Sequence, residues 1–318
     1  MRNLEVRFKR APATPGEVEV VAAEVPPLAN GGILCHAHWL AADALFAPLA
    51  DHPAVSGGVV PALGVYEVIE SRNDVFTVGQ RLVVDCGMRE LCATDGHNAV
   101  ALYPGQSPSS TALGVLGPPG MAAYFGLIDL GGLHGGQTVL VAAASSTAGA
   151  MAGQIAALKG ARAIGLDDSA EKCSWATRHA RFAACINVSA EDLSKRLWQL
   201  APQGCDLFFD AGKGELLDAL LGGQHLAPGA RVVLGPHSPH HPHPARGPSE
   251  ARARVRILRL DPHDYESRRA EFLKEAITWY GSGRLVCRED VIMGLENAPT
   301  HLDKVFRGEH FGQPLIKV

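Results

Sequence analysis

The chain has 318 residues, which is enough for two domains or for one large domain with an insertion. A hydrophobic share of 47% and a charged share of 19% are ordinary for a globular protein and argue against disorder. With a net charge of −4 and no Lys/Arg-rich run, the sequence offers no electrostatic attraction for nucleic acid, so we expect a small-molecule partner.

The amino-terminal residues MRNLEVRFKR are charged throughout and lack the apolar core of a signal peptide. No apolar run in the sequence reaches the length of a membrane span, so we expect a cytoplasmic protein with no membrane partner. The seven cysteines include no C-x-x-C pair. Cys86 and Cys92 lie close together, but no further ligand follows at zinc-site spacing. Buried reduced thiols are therefore favoured over a metal site.

Residues 1–115 contain short apolar alternations interrupted by Pro and Gly, which predict a β-rich, barrel-like domain. The runs at 64–70 and 78–84 are separated by a turn and predict a pair of neighbouring strands. The run GPPG at 117–120 predicts a linker, and residues 121–130 behind it predict a helix.

Residues 137–166 are the stretch around which the rest of the chain is organised. An apolar run at 138–144 predicts a strand buried on both faces, 148–159 predicts a helix that ends at Gly160, and 162–166 predicts a second strand. The same alternation continues, with strands at 184–188, 206–209, 231–234 and 255–260 and helices from 171 and at 191–200, 216–221 and 265–280. Six strands with intervening helices predict a doubly wound parallel sheet.

The turn after the first of these strands carries the chemistry. Its residues are Ser145, Ser146, Thr147 and Gly149. The first amides of the helix and its dipole favour an anion such as a pyrophosphate, which Gly149 would allow to approach closely. Gly153 would let the helix lie near the strand. Because Ala144 and Ser146 replace glycines of the usual G-x-G-x-x-G pattern, a βαβ unit without a ligand is the alternative.

Other polar or small residues follow the predicted strands at their carboxyl ends, where ligands of doubly wound sheets bind. They are Asp167, Asp210 and Gly235.

Five runs identify a family: GPPGMAAYFGLIDL from Gly117, GQIAALKG from Gly153, AEKC from Ala170, LFFDAGKGELLD from Leu207 and HFGQPLIKV from His310. In these runs the chain resembles the zinc-independent medium-chain dehydrogenase/reductases, in their prostaglandin reductase or alkenal double-bond reductase branch. VPPLANGGILC from Val25 and VIESRNDVFTVGQRL from Val68 extend the resemblance over nearly the whole chain.

The resemblance implies an α/β fold with a GroES-like β-barrel domain at 1–115 and 283–318 and a Rossmann domain at 116–282. It implies an NADP-dependent reductase that passes a hydride to the β-carbon of α,β-unsaturated aldehydes or ketones, and a homodimer. The motif of the zinc-dependent relatives is not present in the sequence, so we expect no catalytic metal. A quinone reductase of the same superfamily and a non-catalytic nucleotide-binding member are the alternatives.

The resemblance also assigns cofactor contacts, although Val188 and Ala211 replace a family tyrosine and asparagine, and His310 replaces another asparagine. The cofactor-binding residues that we predict are Ser146, Thr147, Ala148, Gly149, Asp167, Lys172, Ala211, Gly235 and His310. No catalytic residue is assigned.

The choice of cofactor depends on three residues. Lys172 matches the family lysine that meets the 2′-phosphate of NADPH, where an ammonium offsets phosphate charge. Asp167 and Asp168 follow the second strand, where a carboxylate binds the ribose hydroxyls of NAD and repels a phosphate. We predict NADP, with NAD possible because of these aspartates. Asp168 could instead cap the helix that begins near residue 170.

The loop HSPHHPHP at 237–244 carries four histidines where relatives have a tyrosine near the substrate. A solvated, irregular loop is the main interpretation. An imidazole that polarises a carbonyl or supplies a proton, and a metal clip, are the alternatives. Tyr124 and Tyr265 are predicted to line the core or a cleft rather than to donate a proton.

Overall fold

The computed structural model describes residues 3–9, 17–42, 57–212, 216–235 and 255–318. The chain divides into two compact units. One contains Met1–Leu113 and Arg288–Val318, and the other contains Gly114–Cys287. The substrate-binding and nucleotide-binding roles that the sequence assigns to two such domains remain predictions.

The strands of the described residues are β1 (Asn3–Phe8), β2 (Val18–Ala23), β3 (Ile33–Ala41), β4 (Leu63–Ser71), β5 (Arg81–Asp85), β6 (Leu91–Thr94), β7 (Val100–Ala101), β8 (Thr138–Ala142), β9 (Arg162–Asp167), β10 (Ala184–Asn187), β11 (Cys205–Asp210), β12 (Leu226–Leu234), β13 (Arg256–Arg259), β14 (Glu289–Met293) and β15 (Gln313–Lys317). The α-helices are α1 (Pro118–Phe125), α2 (Thr147–Leu158), α3 (Ala170–Arg178), α4 (Leu193–Leu200), α5 (Leu217–Gly222), α6 (Arg269–Gly281) and α7 (Ala298–Phe306). Short 3₁₀ helices span Ser109–Leu113, Pro262–Arg268 and Leu295–Asn297, and a π-helix spans Gly126–Leu130.

The first unit is β-rich, as the sequence predicts. Its seven-stranded sheet has the order β14-β15-β3-β4-β5-β7, with β6 paired to β3, and β1 pairs with β2. The expected pair of neighbouring strands is confirmed, because β4 and β5 are antiparallel neighbours. Alternate side chains fill the core, among them Tyr66, which is fully buried and donates a hydrogen bond to the Gly87 carbonyl at 2.9 Å.

The second unit contains a six-stranded sheet in the order β10-β9-β8-β11-β12-β13, with all neighbouring pairs parallel. The chain starts at β8, runs outward through β9 and β10, and then returns to the other side of β8 as β11. This order is that of a doubly wound nucleotide-binding sheet, and the reversal between β8 and β11 is its switch point. Strand β8 is apolar because it is covered on both faces, with Val139, Leu140 and Val141 fully buried.

Three predicted boundaries in this unit are wrong. The expected linker at 117–120 is already helical from Pro118 onward. Proline is compatible with the first turn of a helix because the N–H that it lacks would have no partner within the helix there. The helix predicted at 265–280 divides into the 3₁₀ helix Pro262–Arg268 and α6. The helix predicted from 191 begins at Leu193, because the Asp192 side chain caps it by accepting from the Lys195 amide.

In the described part of the chain, none of the helices combines the length and the apolarity that crossing a membrane requires. The same residues contain no group of three His, Cys, Asp or Glu side chains placed to hold a metal ion. The seven cysteines are free thiols.

Candidate functional site

The site lies at the carboxyl-terminal edge of the parallel sheet, just beyond the last positions at which β8 pairs with its two neighbours. Ala142 of β8 pairs with Leu166 of β9 on one side and with Asp210 of β11 on the other. The residues that follow at this edge are Ala143, Asp167, Ala211 and Gly235. The structure therefore brings together three of the predicted contacts, Asp167, Ala211 and Gly235, at the switch point of the sheet.

The chain leaves β8 through a tight turn at Ala143, whose φ of 49° lies in the left-handed region. The Ser146 amide closes the turn by donating to the Ala143 carbonyl at 2.9 Å. Gly149 packs against this turn, since an added Cβ would lie 2.1 Å from the Ala143 oxygen. The first turn of α2 can approach the strand this closely because residue 149 has no side chain.

Ser146 is the N-cap of α2, and its hydroxyl accepts from the Gly149 amide at 3.1 Å. Its carbonyl accepts from the Ala150 amide at 2.8 Å. Ser146, Thr147 and Ala148 are half-buried, so they form the part of the helix start that solvent can reach. The amino terminus of this 12-residue helix favours an anion, as the sequence predicts.

Gly153 has a different neighbour from the one that the sequence suggests. The three atoms nearest to an added Cβ all belong to the Phe182 ring, at 2.1 to 2.7 Å. Gly153 therefore makes room for the Phe182 ring, in the segment that connects α3 to β10.

Asp167 is 6% exposed, and its carboxylate binds backbone amides of this chain. Its carboxylate accepts from the Ser145 amide at 2.7 Å and from the Asp168 amide at 2.9 Å. Burial raises the pKa of Asp167 above its usual 3.8, and the hydrogen bonds from Asp168 and Ser145 oppose that shift. The carboxylate joins the end of β9 to the turn before α2.

Lys172 and Asp168 form an ion pair, although the sequence predicts that Lys172 favours NADPH and that Asp168 favours NAD. The Lys172 ammonium lies 2.9 Å from the Asp168 carboxylate, and their side chains are 15% and 55% exposed. The idea that Asp168 caps α3 is wrong. Ser169 is the cap, because its hydroxyl accepts from the Lys172 amide at 3.2 Å.

Ala211 and Gly235 lie beside each other at the ends of β11 and β12. The Gly235 amide donates to the Asp210 carbonyl at 2.9 Å, and an added Cβ on Gly235 would lie 2.6 Å from that oxygen. The Asp210 carboxylate is 2% exposed and accepts from the Gly212 amide at 3.0 Å. Asp210 thus shapes the loop that carries Ala211 toward the turn at Ala143.

The resemblance also draws attention to Val188 and His310. Val188 follows β10, and its amide donates to the Asp167 carbonyl at 2.8 Å. His310 belongs to the first compact unit, half-buried between α7 and β15. Its role as a cofactor contact stays a prediction.

No side chain of the described residues is assigned as a proton donor. Tyr124 is 2% exposed and donates to the Glu275 carboxylate at 3.1 Å, while Tyr265 stacks on Phe125 with ring centres 4.4 Å apart. Burial raises the pKa of both phenols. The histidine loop at 237–244 lies outside the described residues.

Sequence reasoning missed two structural features of the site. The left-handed Ala143 carries no signal in its residue type, because glycine or asparagine is the usual occupant of that conformation. The cap at Ser169 could have been found, because a serine three residues before a lysine amide and directly before AEKC fits an N-cap position.

Comparison with known proteins identifies the family. Residues 3–102 match a sequence family described as the N-terminal domain of oxidoreductase. Bovine prostaglandin reductase 1 is 31% identical over 316 residues, which cover 96% of this chain and 94% of the bovine protein. The NADPH-dependent curcumin reductase of Escherichia coli is 32% identical over 96% of this chain and 89% of its own length.

The chain belongs to the zinc-independent medium-chain dehydrogenase/reductases. The resemblance to their prostaglandin reductase branch is thereby confirmed. A tobacco (Nicotiana tabacum) 2-alkenal reductase, described as NADP(+)-dependent, is also similar, at 31% identity over 82% of this chain and 78% of its own length.

Solved structures place this medium-chain reductase in the same fold. CurA from Vibrio vulnificus in complex with NADPH superimposes with a TM-score of 0.88 at 28% identity, covering 99% of each chain. The quinone oxidoreductase of Pseudomonas syringae shares the fold alone, with a TM-score of 0.79 at 20% identity over the whole of both chains. The predicted fold class, a GroES-like β-barrel domain with a Rossmann domain, is confirmed.

Proposed function

We propose that this medium-chain reductase uses NADPH to reduce the carbon–carbon double bond of α,β-unsaturated aldehydes or ketones. The proposal is carried by the juxtaposition of the Ser146 turn with the ends of β9, β11 and β12 at the switch point of a nucleotide-binding sheet. Its relatives support the reaction, since their names describe NADPH-dependent curcumin reduction and NADP-dependent 2-alkenal reduction.

The residues at this edge fit a dinucleotide. Ser146, Thr147 and Ala148 present the amino-terminal end of α2 to a pyrophosphate, and Gly149 keeps that end close to β8. Ala211 and Gly235 offer a surface of small side chains beside the turn, so a flat group can lie against the backbone there. Asp210 holds the Ala211 loop in place through the Gly212 amide.

The two aspartates oppose NADPH binding less strongly than the sequence suggests. Asp167 is turned inward to the Ser145 and Asp168 amides, which leaves its oxygens occupied. Asp168 is exposed and paired with Lys172, so its charge is partly offset. A 2′-phosphate can replace the Asp168 carboxylate as the partner of Lys172, because both present anionic oxygens to the ammonium.

When bound, NADPH supplies the hydride for the β-carbon. The chain itself holds the nucleotide in position. The amino terminus of α2 stabilises the pyrophosphate, and Lys172 binds the 2′-phosphate of the adenosine. The edge formed by Ala211 and Gly235 contacts the remainder of the dinucleotide. The described residues assign no donor for the α-proton.

The reaction is tested by following nicotinamide absorbance with purified protein, NADPH, and in turn a 2-alkenal, an enone and a quinone. We expect oxidation with the first two, and a product that gains two hydrogens by mass spectrometry. NADPH deuterated at the transferring position should place its label on the β-carbon. Oxidation with the quinone alone would support the quinone reductase alternative, and binding without any oxidation would support a non-catalytic member.

The binding site is tested separately with two replacements at one position. Asn and Asp cap a helix about as well as Ser, so Ser146→Asn and Ser146→Asp should both fold. Only Ser146→Asp brings a negative charge to the proposed pyrophosphate position, and we expect it to weaken NADPH binding about tenfold or more relative to Ser146→Asn. Equal NADPH affinity of the two variants would show that the pyrophosphate does not bind at this turn.

The remaining expectations from the resemblance are a cytoplasmic location and a homodimer. The resemblance implies dimerisation through the edge of the Rossmann sheet, and β13 is one edge of the described sheet, with Ile257 41% exposed. Sedimentation at micromolar concentration should show a dimer, and a monomer alone would contradict this proposal.

A further inference from the structure

Two thiols that no part of the proposed reaction uses lie within bonding reach of each other. The Sγ atoms of Cys173, on α3, and Cys185, on β10, are 2.6 Å apart. Both residues are free thiols. A disulfide requires about 2.05 Å between sulfurs, so the pair can close with a shift of a few tenths of an ångström on each side.

The pair is open to small solutes. Cys173 and Cys185 line a surface cavity of about 350 Å³, together with Ser174, Thr177 and Asn187. Cys185 is half-buried and Cys173 is 8% exposed. A hydrogen peroxide molecule is little larger than water, whose share of liquid volume is about 30 Å³, so it fits this cavity.

The hydrogen bond between the sulfurs gives them different roles. The Cys185 thiol donates and the Cys173 sulfur accepts. This bond, with burial, raises the pKa of the Cys185 thiol well above its usual value. Cys185 therefore keeps its proton, which leaves the Cys173 sulfur as the atom of the pair that reacts first with peroxide.

We propose that Cys173 and Cys185 are a peroxide-sensitive pair that closes to a reversible disulfide between α3 and β10. The Cys173 sulfur attacks one peroxide oxygen, the O–O bond breaks, and the departing hydroxide takes up the Cys173 thiol proton and leaves as water, with a sulfenic acid on Cys173. The Cys185 sulfur then attacks the Cys173 sulfur, the S–O bond breaks, and a second water leaves. Two thiols lose two electrons and two protons in total, and one peroxide becomes two waters.

A second pair of thiols provides an internal comparison. Cys35 and Cys92 face each other directly across β3 and β6. They are 0% and 1% exposed in the barrel core, so peroxide has no access to them. If proximity alone decided oxidation, both pairs would react, whereas the cavity singles out Cys173 and Cys185.

The test uses the reduced full-length chain with a slight excess of hydrogen peroxide. We expect the intact mass to fall by two hydrogens, the thiols titrated after denaturation to fall from seven to five, and alkylated digests to contain a peptide pair joined through residues 173 and 185. Dithiothreitol should restore all seven thiols. A cross-link between other cysteines, oxygen added to Cys173 in place of the cross-link, or no change in mass would each overturn the proposal.

Variants sharpen the assignment. Cys173→Ser and Cys185→Ser should each abolish the cross-link, and Cys287→Ser, which changes a half-buried thiol outside the cavity, should retain it. The peptide map of the unmodified chain decides the proposal even if a serine variant folds poorly. The assay contains no nucleotide, so its result is independent of the proposed reductase function.

Discussion

The Asp167 carboxylate accepts a hydrogen bond from the Ser145 amide at 2.7 Å, which ties the end of β9 to the turn before α2. A buried acceptor in this position orients the backbone on which the proposed anion site depends. The same carboxylate accepts from the Asp168 amide, so two backbone donors rely on one side chain. The strength of such bonds comes from the burial of the group, because no water is available to replace a lost acceptor.

Asp167→Asn should therefore destabilise the fold. The asparagine has one oxygen for two N–H donors, and its NH₂ group would face one of them, which we expect to lower the free energy of unfolding by about 1–3 kcal/mol. Asp168→Asn is the matched control, since that side chain is 55% exposed and should change stability by less than about 0.5 kcal/mol. Urea denaturation of both variants checks this, and equal stability of the two would show that the Asp167 contacts contribute nothing.

Gly149→Ala should disrupt the start of α2. The new Cβ would lie 2.1 Å from the Ala143 carbonyl oxygen, so the turn must move, at a cost of about 1–3 kcal/mol in stability, and NADPH binding should weaken with it. Gly222→Ala serves as the control because an added Cβ there meets nothing within 4 Å. Thermal melting and NADPH titration of both proteins provide the measurements. A Gly149→Ala variant that matched the parent in both would mean that the close approach is not needed.

Lys172→Ala should weaken NADPH binding about 10- to 100-fold and leave NADH binding unchanged, because only NADPH carries the 2′-phosphate. Asp168→Asn should act in the opposite direction, since it frees Lys172 and removes a carboxylate that repels the phosphate. Lys195→Ala, on the exposed face of α4, makes the same change in net charge away from the site. Fluorescence titration with both nucleotides tests these expectations. An equal loss of NADPH and NADH affinity in Lys172→Ala would assign the lysine to another part of the dinucleotide.

Acidification should destabilise the protein through His225. This imidazole is 4% exposed and lies 3.0 Å from the Ser194 hydroxyl, and burial lowers its pKa below the usual 6.5. The unfolded chain therefore takes up a proton before the folded one does. The contribution of neutral His225 to stability is complete above pH 6.5 and is lost as the pH falls through the lowered folded pKa.

The matched variant for this effect is His225→Gln, which cannot titrate. Urea denaturation at about pH 7.5 and pH 5.5 should show a smaller loss of stability on acidification in the variant than in the parent. The exposed Trp198, whose ring meets His225 edge-on, provides the fluorescence signal. Equal losses in the two proteins would assign the acid sensitivity to other groups.

Much of the fold could be predicted because it depends on local patterns. The apolar run in β8, the spacing of Met151, Ile155 and Leu158, and the stop at Gly160 each determine an element over a few residues. The errors occurred where local signals have two meanings. Pro118 marks a break in most contexts, yet at the first turn of a helix it is compatible with the helix, and only packing against the rest of the unit selects that outcome.

The sequence predicted which residues meet at this edge of the sheet but not the contacts that they make. Asp167 was expected to face a ribose and instead binds the Ser145 and Asp168 amides. Lys172 and Asp168, which were expected to favour different cofactors, form an ion pair with each other. A residue at the end of a strand has two directions available, inward to the turn or outward to a ligand. Asp167 takes the inward direction because the turn that follows β8 brings the Ser145 amide within 2.7 Å of its carboxylate.

The sequence by itself determined the alternation of strands and helices and the family, because these depend on periodicity and on short runs of residue types. Only the tertiary structure decided the strand order, the partners of Asp167 and Lys172, and the approach of Cys173 to Cys185. Hydrogen bonds and sulfur contacts depend on distances of a few tenths of an ångström, and those distances are set by packing between segments that are far apart in the chain.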